Sequence, residues 1–492
     1  RDDAFRRISR SFHAVKDSEY APPASLQKTL RKYQRDGYRW LRTLDSYGMG
    51  GILADDMGLG KTVQVLSYLL AMKQSGQTEG KGLLPSLIVC PASLVLNWAE
   101  ECRKFTPELT CVVVDGDAAH RAALAESWPA ADLVVTSYDL LRRDEALYEG
   151  QEFYACILDE AQAIKNHTTQ KYKAVCKVRS RVRFALTGTP VENRLGELWS
   201  IFSFLMPGYL PPYKSFCSRF EKPIVQEEDQ TAVRRLNQLT GPFILRRMKA
   251  DVLKELPPKT ENVYRIELEE EQRKLYLAAV VDAREKLRAA KPEDKMAVFA
   301  VLMRLREICC DPRLIADNWE GGSAKLDACV ELISGAVEGG HRILLFSQFT
   351  SMLELLAKRL DAEGISHFTL QGSTPKPVRA ELVRRFNGGE VSVFLISLRA
   401  GGTGLNLTAA DIVIHYDPWW NVAAQNQATD RAYRIGQQNP VQVYKLIAQD
   451  TIEEKIVELQ QAKQSLADTV TGTADGAILS MRPDELLQLL EG

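Results

Sequence analysis

Several features that mark other classes of protein are missing from this chain of 492 residues. Its apolar runs are all shorter than the roughly 20 residues that a membrane-spanning helix needs, so an integral membrane protein is not expected. The chain begins Arg1-Asp2-Asp3, without an initiator Met and without the regions of a secretory signal. We therefore expect a piece of a longer protein, cut on its N-terminal side, that stays inside the cell, in a cytoplasm or a nucleus.

Charge and cysteine usage exclude further classes. Lysine and arginine number 63 against 64 acidic residues, which gives a formal net charge of −1 and excludes a uniformly basic protein that coats DNA. The nine Cys are scattered, none forms a Cys-x-x-Cys pair, and the six His do not cluster with them. A zinc site and a disulfide framework are therefore not expected, and the scattered thiols fit a reducing compartment.

Short, continuous apolar runs are present in two series, and each run is followed by a loop and a helical pattern. Continuous rather than alternating runs indicate strands that are buried on both faces of a parallel sheet, and their shortness argues against buried helices. The runs lie at residues 52–54, 87–90, 133–135, 156–158 and 184–186, and then at 343–346, 393–396 and 412–414. The sequence therefore predicts an α/β protein with two parallel-sheet lobes.

A region of mostly helical pattern separates the two series of runs. It contains the natural break Leu256-Pro257-Pro258-Lys259. We expect helical insertions here and a helical brace at the C-terminus. The predicted bounds are 1–25 for a lead segment, 26–194 for the first lobe, 195–258 for a helical insertion and inter-lobe linker, 259–322 for an insertion of the second lobe, 323–470 for the second lobe and 471–492 for the tail and brace helix.

A glycine-rich loop follows the first apolar run and precedes a helical pattern, which is the setting of a phosphate-binding P-loop. Gly58 and Gly60 let backbone N–H groups close on phosphate oxygens, and the start of the helix adds the positive end of its dipole. Lys61 is expected to reach the β and γ phosphates of ATP, and Thr62 to supply a hydroxyl to Mg²⁺. Asp56 is expected among the nucleotide-binding residues.

The loop departs from the usual pattern at one position, because Asp55 stands where a P-loop has its first glycine. Upstream, Gln34 is placed to read adenine with its amide donors and acceptor. An exposed helical glutamine is the alternative interpretation of that residue.

An acidic pair, Asp159-Glu160, ends the run at 156–158. We expect Asp159 to hold Mg²⁺ and Glu160 to orient or deprotonate the attacking water. An acidic pair at a strand end is by itself more often a helix cap. The P-loop upstream favours the catalytic interpretation.

A second candidate catalytic segment lies between Asn421, a good N-cap, and Gly436, a good helix stop. The pattern predicts one helix over this whole range. Arg431 and Arg434 are three residues apart and so would share a helix face. Solvated helix arginines are the default interpretation of such a pair.

The motifs of this chain, in their order, resemble those of the SWI/SNF-like DNA translocases of helicase superfamily two. They are Gln34, GLGKT at 58–62, DEAQ at 159–162, LTGTP at 186–190, SLRAGGTGLNL at 397–407 and QATDRAYRIGQ at 427–437. Two further segments are also similar to signatures of this family. One extends from Arg246 to Lys259, and the other is Asp417-Pro418-Trp419-Trp420-Asn421. The resemblance extends from about Leu26 to Leu459, and DEAQ with compact insertions is similar to the bacterial and archaeal branch.

The resemblance implies two RecA-like lobes with ATP hydrolysed in the cleft between them, and it implies roles for individual residues. Arg431 and Arg434 look like arginine fingers for the γ-phosphate. Thr187, Gly188, Thr189 and Pro190 look like the element that couples hydrolysis to movement. The expected DNA-backbone contacts are Pro91, Ala92, Ser93, Thr136 and Ser137 on the first lobe and Ser347, Arg399, Gly401, Gly402 and Thr403 on the second. Trp420 either packs against DNA or is a core residue beside Trp419.

These interpretations predict a DNA-dependent ATPase that moves along double-stranded DNA, without sequence preference and without separating the strands, and remodels complexes of DNA with a protein whose identity the sequence does not reveal. RNA-directed relatives usually have Ser-Ala-Thr where this chain has Gly188-Thr189-Pro190, which argues against RNA. Residues 231–260 carry seven basic residues against two acidic ones, which suggests a local nucleic-acid path or a solvated face. A strand-separating helicase and a nucleotide-sensing scaffold without turnover remain as alternatives.

Overall fold

The computed structural model divides into two compact units, residues 1–254 and 255–492. The structure describes residues 20–78, 84–188, 195–227, 229–253, 256–289, 291, 294–316, 318–401, 405–419, 422–460, 486, 487 and 490. Within these ranges, no helix is both long enough and apolar enough to cross a membrane.

The first unit contains a parallel sheet of seven strands. They are β1 (Gly51–Leu53), β2 (Ser86–Cys90), β3 (Cys111–Val113), β4 (Leu133–Ser137), β5 (Glu152–Asp159), β6 (Arg179–Leu186) and β7 (Ile244–Leu245). The α-helices are α1 (Lys32–Ser46), α2 (Lys61–Thr78), α3 (Val95–Phe105), α4 (Ala118–Ala125), α5 (Tyr138–Arg143), α6 (Glu145–Tyr148), α7 (Gln170–Lys177), α8 (Leu195–Leu205), α9 (Tyr213–Phe216), α10 (Lys222–Gln226), α11 (Gln230–Thr240) and α12 (Lys249–Val252). Every residue of β1, β2 and β4 is buried, as expected for strands covered on both faces.

The order of the strands in this sheet is β3-β4-β2-β5-β6-β1-β7, and every pairing is parallel. The carboxyl ends of parallel strands meet at one edge of the sheet, which is where α/β proteins bind ligands. The P-loop, the acidic pair and Thr187 follow β1, β5 and β6, which lie in the same half of the sheet. The positions expected to contact DNA in this unit follow β2 or end β4, and both strands lie next to that half.

The second unit contains a parallel sheet of six strands in the order β10-β11-β9-β12-β13-β8. They are β8 (Lys259–Ile266), β9 (Ile343–Ser347), β10 (His367–Leu370), β11 (Val393–Ser397), β12 (Ile412–His415) and β13 (Val441–Ala448). The α-helices are α13 (Glu270–Ala289), α14 (Lys295–Cys310), α15 (Ala324–Glu338), α16 (Thr350–Ala362), α17 (Lys376–Asn387), α18 (Leu398–Gly401) and α19 (Val422–Thr429). The expected α/β fold with two parallel sheets is confirmed.

The central strands of the second sheet have an apolar core on each face. Ile343 and Leu345 of β9 pack in one cluster of buried residues, whereas Leu344 and Phe346 pack in another. Successive side chains of a strand point to opposite faces, so a strand buried on both faces needs apolar residues at every position. This requirement explains the continuous apolar runs in the sequence.

Residues 195–322, whose pattern predicts helices, also supply one strand to each sheet. β7 has two residues and forms an edge of the first sheet, and β8 forms an edge of the second. Most residues of β8 are exposed, so this strand has no apolar run. Of the C-terminal tail, Leu486 and Leu490 are buried in a cluster with residues of α13 and α14, among them Leu287 and Leu302.

Candidate functional site

The loop between β1 and α2 has the backbone conformation of a phosphate-binding loop. Gly58 and Gly60 have φ angles of 84° and 75°, in the left-handed region that glycine adopts without strain. A Cβ atom on Gly60 would lie 2.5 Å from Nε2 of Gln34, so a side chain there would disturb the site. Nζ of Lys61 donates a hydrogen bond to the backbone oxygen of Asp55 at 2.7 Å, which places the ammonium against the loop.

Gln34 is buried and packs on the P-loop, so it is not the exposed helical residue of the alternative interpretation. Its Nε2 donates to the backbone oxygen of Leu59 at 3.0 Å, and its Oε1 accepts from the backbone N–H of Arg31 at 2.9 Å. The hydroxyl of Tyr33 donates to the same oxygen of Leu59 at 2.9 Å. The start of α1 therefore supports the P-loop through two side chains, and a role of Gln34 in adenine recognition stays a prediction.

Asp159 is the last residue of β5, and hydrogen-bond donors from the first unit surround its carboxylate. Its carboxylate accepts from Nε1 of Trp98 at 2.8 Å and from the backbone N–H of Glu160 at 2.9 Å. Burial, and then the neighbouring charge of Glu160, raise the pKa of the Asp159 carboxyl to about 7. A cation bound beside this carboxylate would favour its charged form, so the environment suits a metal ligand.

Glu160 has a strained backbone, with φ of 50° and ψ of 56° in the left-handed region that residues other than glycine rarely adopt. Strain of this kind costs of order 1–3 kcal/mol and occurs mainly at functional sites. The surrounding structure holds the residue in place, since Oε2 of Glu160 accepts from Nε2 of Gln162 at 2.8 Å. The strained turn aims a carboxylate at the carboxyl edge of the sheet.

A chain of hydrogen bonds joins this carboxylate to the P-loop strand. Oε1 of Gln162 accepts from the hydroxyl of Thr187 at 3.0 Å, and the backbone N–H of Thr187 donates to the oxygen of Leu53 at 3.2 Å. Thr187 follows β6, which pairs with both β1 and β5. The expected coupling residue Thr187 is therefore buried between the nucleotide loop and the acidic pair. Gly188 is partly exposed beside it, and Thr189 and Pro190 lie outside the described residues.

The donor set fits a Mg²⁺ ion that is shared with nucleotide phosphates. Among the described residues, no group of three or more His, Cys, Asp or Glu could hold a metal ion alone. In phosphoryl-transfer sites Mg²⁺ usually has one or two protein ligands, and phosphate and water oxygens complete the octahedron. The carboxylate of Asp159 and the hydroxyl of Thr62 would be such a partial set, and their role as Mg²⁺ ligands stays a prediction.

The DNA positions expected in the first unit lie at the carboxyl ends of two adjacent strands, β2 and β4, but not all of their side chains can reach a ligand. Ala92 is exposed, and Pro91 and Ser93 are partly exposed. Thr136 and Ser137 are buried, and Oγ of Ser137 accepts from the backbone N–H of Leu140 at 3.2 Å, as the N-cap of α5. A contact at Thr136 or Ser137 would therefore use the backbone.

The hydroxyl of Ser347 is engaged inside the second unit. Oγ of Ser347, at the end of β9, donates to Oδ1 of Asp417 at 2.6 Å. The guanidinium of Arg306, which is completely buried, donates to Oδ2 of Asp417 at 3.1 Å and to the oxygen of Pro418 at 2.6 Å. The hydroxyl of Ser347 therefore helps to hold the loop at Asp417 and Pro418. It is less suited to direct binding of a DNA phosphate.

Of the remaining positions expected to contact DNA, four follow β11, the neighbour of β9, namely Arg399, Gly401, Gly402 and Thr403, and Trp420 follows β12. Arg399 and Gly401 belong to the short helix α18. Gly402, Thr403 and Trp420 lie outside the described residues.

The prediction of a single helix from Asn421 to Gly436 is wrong. The helix α19 ends at Thr429, and residues 430–436 form turns. Nε2 of Gln437 donates to the oxygens of Ala432 and Ala410 at 3.1 and 2.7 Å, and the oxygen of Arg431 accepts from the backbone N–H of Leu407 at 3.0 Å. Because tertiary hydrogen bonds replace the helical ones, Arg431 and Arg434 do not share a helix face.

The two arginines differ in exposure. Arg431 is buried, whereas Arg434 is partly exposed. Removal of Arg431 is therefore expected to disturb packing as well as any contact with a ligand, and Arg434 is the better residue for a functional test.

His415 anchors the end of the helix that precedes these arginines. Its Nε2 lies 2.8 Å from the hydroxyl of Thr429, and its ring stacks on Phe346 with centroids 5.7 Å apart. Burial lowers the pKa of His415 from its ordinary 6.5 to about 3. The folded second unit therefore holds this imidazole in its neutral form at neutral pH.

Acid is expected to destabilise the second unit through His415. Below about pH 6.5 the unfolded chain binds a proton that the folded protein does not, so stability falls as the pH drops toward 3. Between neutral pH and about pH 4.5, urea titration of the wild type should lose about 2–3 kcal/mol more than that of His415→Gln, which keeps a partner for Thr429 but does not titrate. Parallel losses in the two proteins would contradict this assignment.

The basic stretch at 231–260 does not form one solvated face. Arg247 and Lys249 fold against the P-loop, as described below, and Lys249 is buried. Arg234 and Arg235 are exposed on α11. The number of basic residues in this stretch is therefore larger than the number of positive charges that nucleic acid could contact.

Sequence reasoning missed three residues that shape the site, namely Trp98, Arg247 and His415. Trp98 and His415 contact residues that are distant in sequence, Asp159 and Phe346, and neither belongs to a recognisable motif. Arg247 stands in the stretch that resembles an inter-lobe signature, and this was the only signal for it.

A P-loop and an acidic pair on one parallel sheet, followed by a second parallel-sheet unit, define the class of two-lobed P-loop ATPases. Residues 33–314 match the model of the SNF2-related domain, and residues 324–436 match the Helicase conserved C-terminal domain. The chain belongs to the SNF2 family, which confirms the resemblance found in its motifs.

Several known proteins are similar to this chain over most of its length. An uncharacterized ATP-dependent helicase of Mycoplasma genitalium is 40% identical over 94% of the chain, which covers 44% of that relative. A SWI/SNF-related regulator of chromatin, subfamily A member 1, of Mus musculus is 36% identical over 94% of the chain, which covers 45% of it. The solved Sulfolobus solfataricus SWI2/SNF2 ATPase core in complex with dsDNA is 36% identical, with 94% of this chain and 97% of that one covered and a TM-score of 0.46. The chain thus spans less than half the length of these two curated relatives.

Proposed function

We propose that this chain is a motor core that hydrolyses ATP when bound to duplex DNA, moves along the duplex without separating its strands, and so remodels protein–DNA complexes. The observation that carries this proposal is the hydrogen-bonded path from Leu53 through Thr187 and Gln162 to Glu160. It links the strand that leads into the nucleotide loop to the residue expected to act on water, through Thr187 of the expected coupling element. Such an enzyme acts where chromosomal DNA lies, at a bacterial nucleoid or in a nucleus.

The first unit carries the groups for ATP binding and hydrolysis. The N–H groups of the P-loop and the ammonium of Lys61 bind the β and γ phosphates, and Glu160 orients the attacking water and accepts its proton. Thr62 and Asp159 would hold Mg²⁺, which would neutralise charge on the phosphates. Trp98 keeps the Asp159 carboxylate in place through its 2.8 Å hydrogen bond.

The second unit supplies positive charge that complements the negative charge of the phosphates. Arg431 and Arg434 are proposed as arginine fingers that stabilise charge on the transferring phosphoryl group. The first unit lacks these guanidinium groups, so hydrolysis would require both units and would depend on DNA that brings them together. The turns at 430–436, rather than a helix, would present Arg434.

The proposed DNA path uses the carboxyl ends of β2 and β4 in the first unit and of β9 and β11 in the second, with the loops that follow them. Small residues and backbone N–H groups suit phosphate contacts, which position a protein on DNA without reading sequence. The burial of Thr136, Ser137 and Ser347 favours backbone contacts over hydroxyl contacts at these positions. Binding should therefore be insensitive to sequence and should weaken with added salt.

The decisive experiment compares ATP turnover without nucleic acid and with duplex DNA, single-stranded DNA or duplex RNA. We expect stimulation mainly by duplex DNA, since the proposed contacts follow a duplex DNA backbone. In parallel, displacement of a triplex-forming strand should occur while a forked duplex stays paired. Unwinding of the fork would favour a strand-separating helicase, and equal stimulation by RNA would contradict the proposed substrate. ATP binding without turnover under all four conditions would favour the nucleotide-sensing scaffold.

A further inference from the structure

The residue that departs from the usual P-loop pattern has a specific partner. Asp55 is completely buried, and its carboxylate accepts from Nε of Arg247 at 2.8 Å and from Nη2 of the same guanidinium. Nε2 of Gln64, in the first turns of α2, donates to the same carboxylate at 3.2 Å. A buried carboxylate is strongly destabilising unless a cation and hydrogen bonds compensate it, and a two-point guanidinium contact is the strongest such partner.

Arg247 also contacts the two helices on either side of the P-loop. Its Nη2 donates to Oε1 of Gln64 in α2 at 2.7 Å, and its Nη1 donates to the backbone oxygen of Tyr33 in α1. The guanidinium lies over the ring of Tyr33, 5.2 Å from the centroid. One side chain thus joins the start of α1, the start of the P-loop and α2.

A glycine inside α1 makes room for this arrangement. A Cβ atom on Gly37 would overlap the amide of Gln64 and would lie 2.8 Å from Nη2 of Arg247. Glycine within a helix costs about 1 kcal/mol relative to alanine. The close approach of Gln64 and Arg247 gives a physical reason for this glycine.

Backbone hydrogen bonds fasten the segment around Arg247 to the same loop. The N–H of Ala54 donates to the oxygen of Leu245 at 2.7 Å, and the N–H of Asp56 donates to the oxygen of Arg247 at 3.0 Å. In return, the N–H of Lys249 donates to Oδ2 of Asp56 at 2.9 Å. Residues 54–56, against which Lys61 rests, are therefore held along their length by residues 245–249, a few positions before the chain enters the second unit.

We propose that Arg247 is a positioning residue of the nucleotide site, which keeps the P-loop in shape for ATP and ties that loop to the segment continuing into the second unit. The proposal rests on the proposed function only in taking ATP as the ligand. Arg247 would act through Asp55, Gln64 and Tyr33, to which all three of its guanidinium nitrogens donate. Loss of its side chain would leave the buried Asp55 carboxylate without its cation, and the backbone oxygen of Asp55 that accepts from Lys61 would lose that support.

The first test measures binding of a fluorescent ATP analogue without DNA. Arg247→Met is expected to weaken binding about tenfold, equivalent to about 1.4 kcal/mol. The matched control is Arg121→Met, which breaks another buried two-point pair of the first unit, with Asp144 at 2.6 and 2.8 Å, away from the P-loop. The control should bind the analogue like the wild type at a similar loss of thermal stability. Equal binding by the two variants would overturn the proposal.

A second pair of variants keeps the positive charge in both places. Arg247→Lys lacks the planar fork and cannot reach Asp55, Gln64 and Tyr33 together, so it should also weaken binding, whereas Arg121→Lys should not. In turnover assays the KM for ATP should rise far more than kcat falls, because Lys61 and Glu160 are still present. A fall in kcat with an unchanged KM would contradict a positioning role.

Failure of this inference is separable from failure of the proposed function. If the wild type binds the analogue but duplex DNA does not stimulate its turnover, the proposed function is wrong and the binding test of Arg247 still applies. If duplex DNA does stimulate turnover and the Arg247 variants bind the analogue normally, only the positioning role is wrong.

Discussion

Replacing Glu160 by Gln is expected to lower ATP turnover by about 10²- to 10⁴-fold while ATP binding survives, the range typical for loss of a general base. The amide has nearly the same size as the carboxylate and can still accept the hydrogen bond from Gln162, so the strained turn should persist. What disappears is the negative charge that orients water and takes its proton. Binding depends instead on Lys61 and the P-loop amides.

The matched control is Glu152→Gln, the same change at the opposite, exposed end of β5. Turnover with saturating duplex DNA and the affinity for an ATP analogue should be measured for both variants. The control should behave like the wild type in both assays. Full turnover in Glu160→Gln would remove this residue from the mechanism and leave its backbone strain without an explanation.

Replacing Arg434 by Ala is expected to cost on the order of 10³ in turnover, as loss of an arginine finger does in phosphoryl transfer. ATP affinity should fall much less, because the groups that bind the nucleotide belong to the first unit. Arg434→Lys should not restore turnover, since an ammonium lacks the planar fork that spans two phosphate oxygens. DNA binding without nucleotide should be nearly unchanged.

Arg434 is preferred to Arg431 for this experiment because Arg431 is buried and its loss would disturb the fold. Arg385→Ala is the control, since this arginine of the same unit is partly exposed, like Arg434, and pairs with Glu390. Turnover, ATP affinity and thermal unfolding should be measured on the same preparations. If Arg434→Ala keeps its DNA-stimulated turnover but unfolds at a lower temperature, the residue is structural and the proposed closure of the two units over ATP is wrong.

The apolar runs of the sequence indicated inner strands of the two sheets, and most of the strands without such a run lie at a sheet edge. Continuous apolar runs marked the central strands, such as β2 and β9, because both of their faces are buried. The edge strands of the two described sheets, β3, β7, β8 and β10, lay outside these runs, and so did the inner strand β13, whose apolar residues are interrupted by Gln442 and Lys445. An edge strand such as β8 exposes most of its residues, so no hydrophobic pattern distinguishes it from a loop.

In the segment after α19, the local sequence pattern predicted a helix that the structure does not contain. Asn421 and Gly436 are good helix boundaries, yet the helix ends at Thr429. The competing partners, His415, Leu407 and Ala410, come from other elements of the second unit. Local helix signals count only neighbours in sequence, so they miss such long-range hydrogen bonds.

By itself, the sequence determined the class of the protein, the positions of its P-loop and acidic pair, and its two parallel sheets, because phosphate binding and double-sided burial each require particular residues at short, regular spacing. Only the tertiary structure decided how these groups are held. Asp55 lies 192 positions from Arg247, and Trp98 lies 61 from Asp159. Ion pairs and hydrogen bonds over such separations depend on how strands are ordered in the sheet, and a sequence pattern does not contain that order.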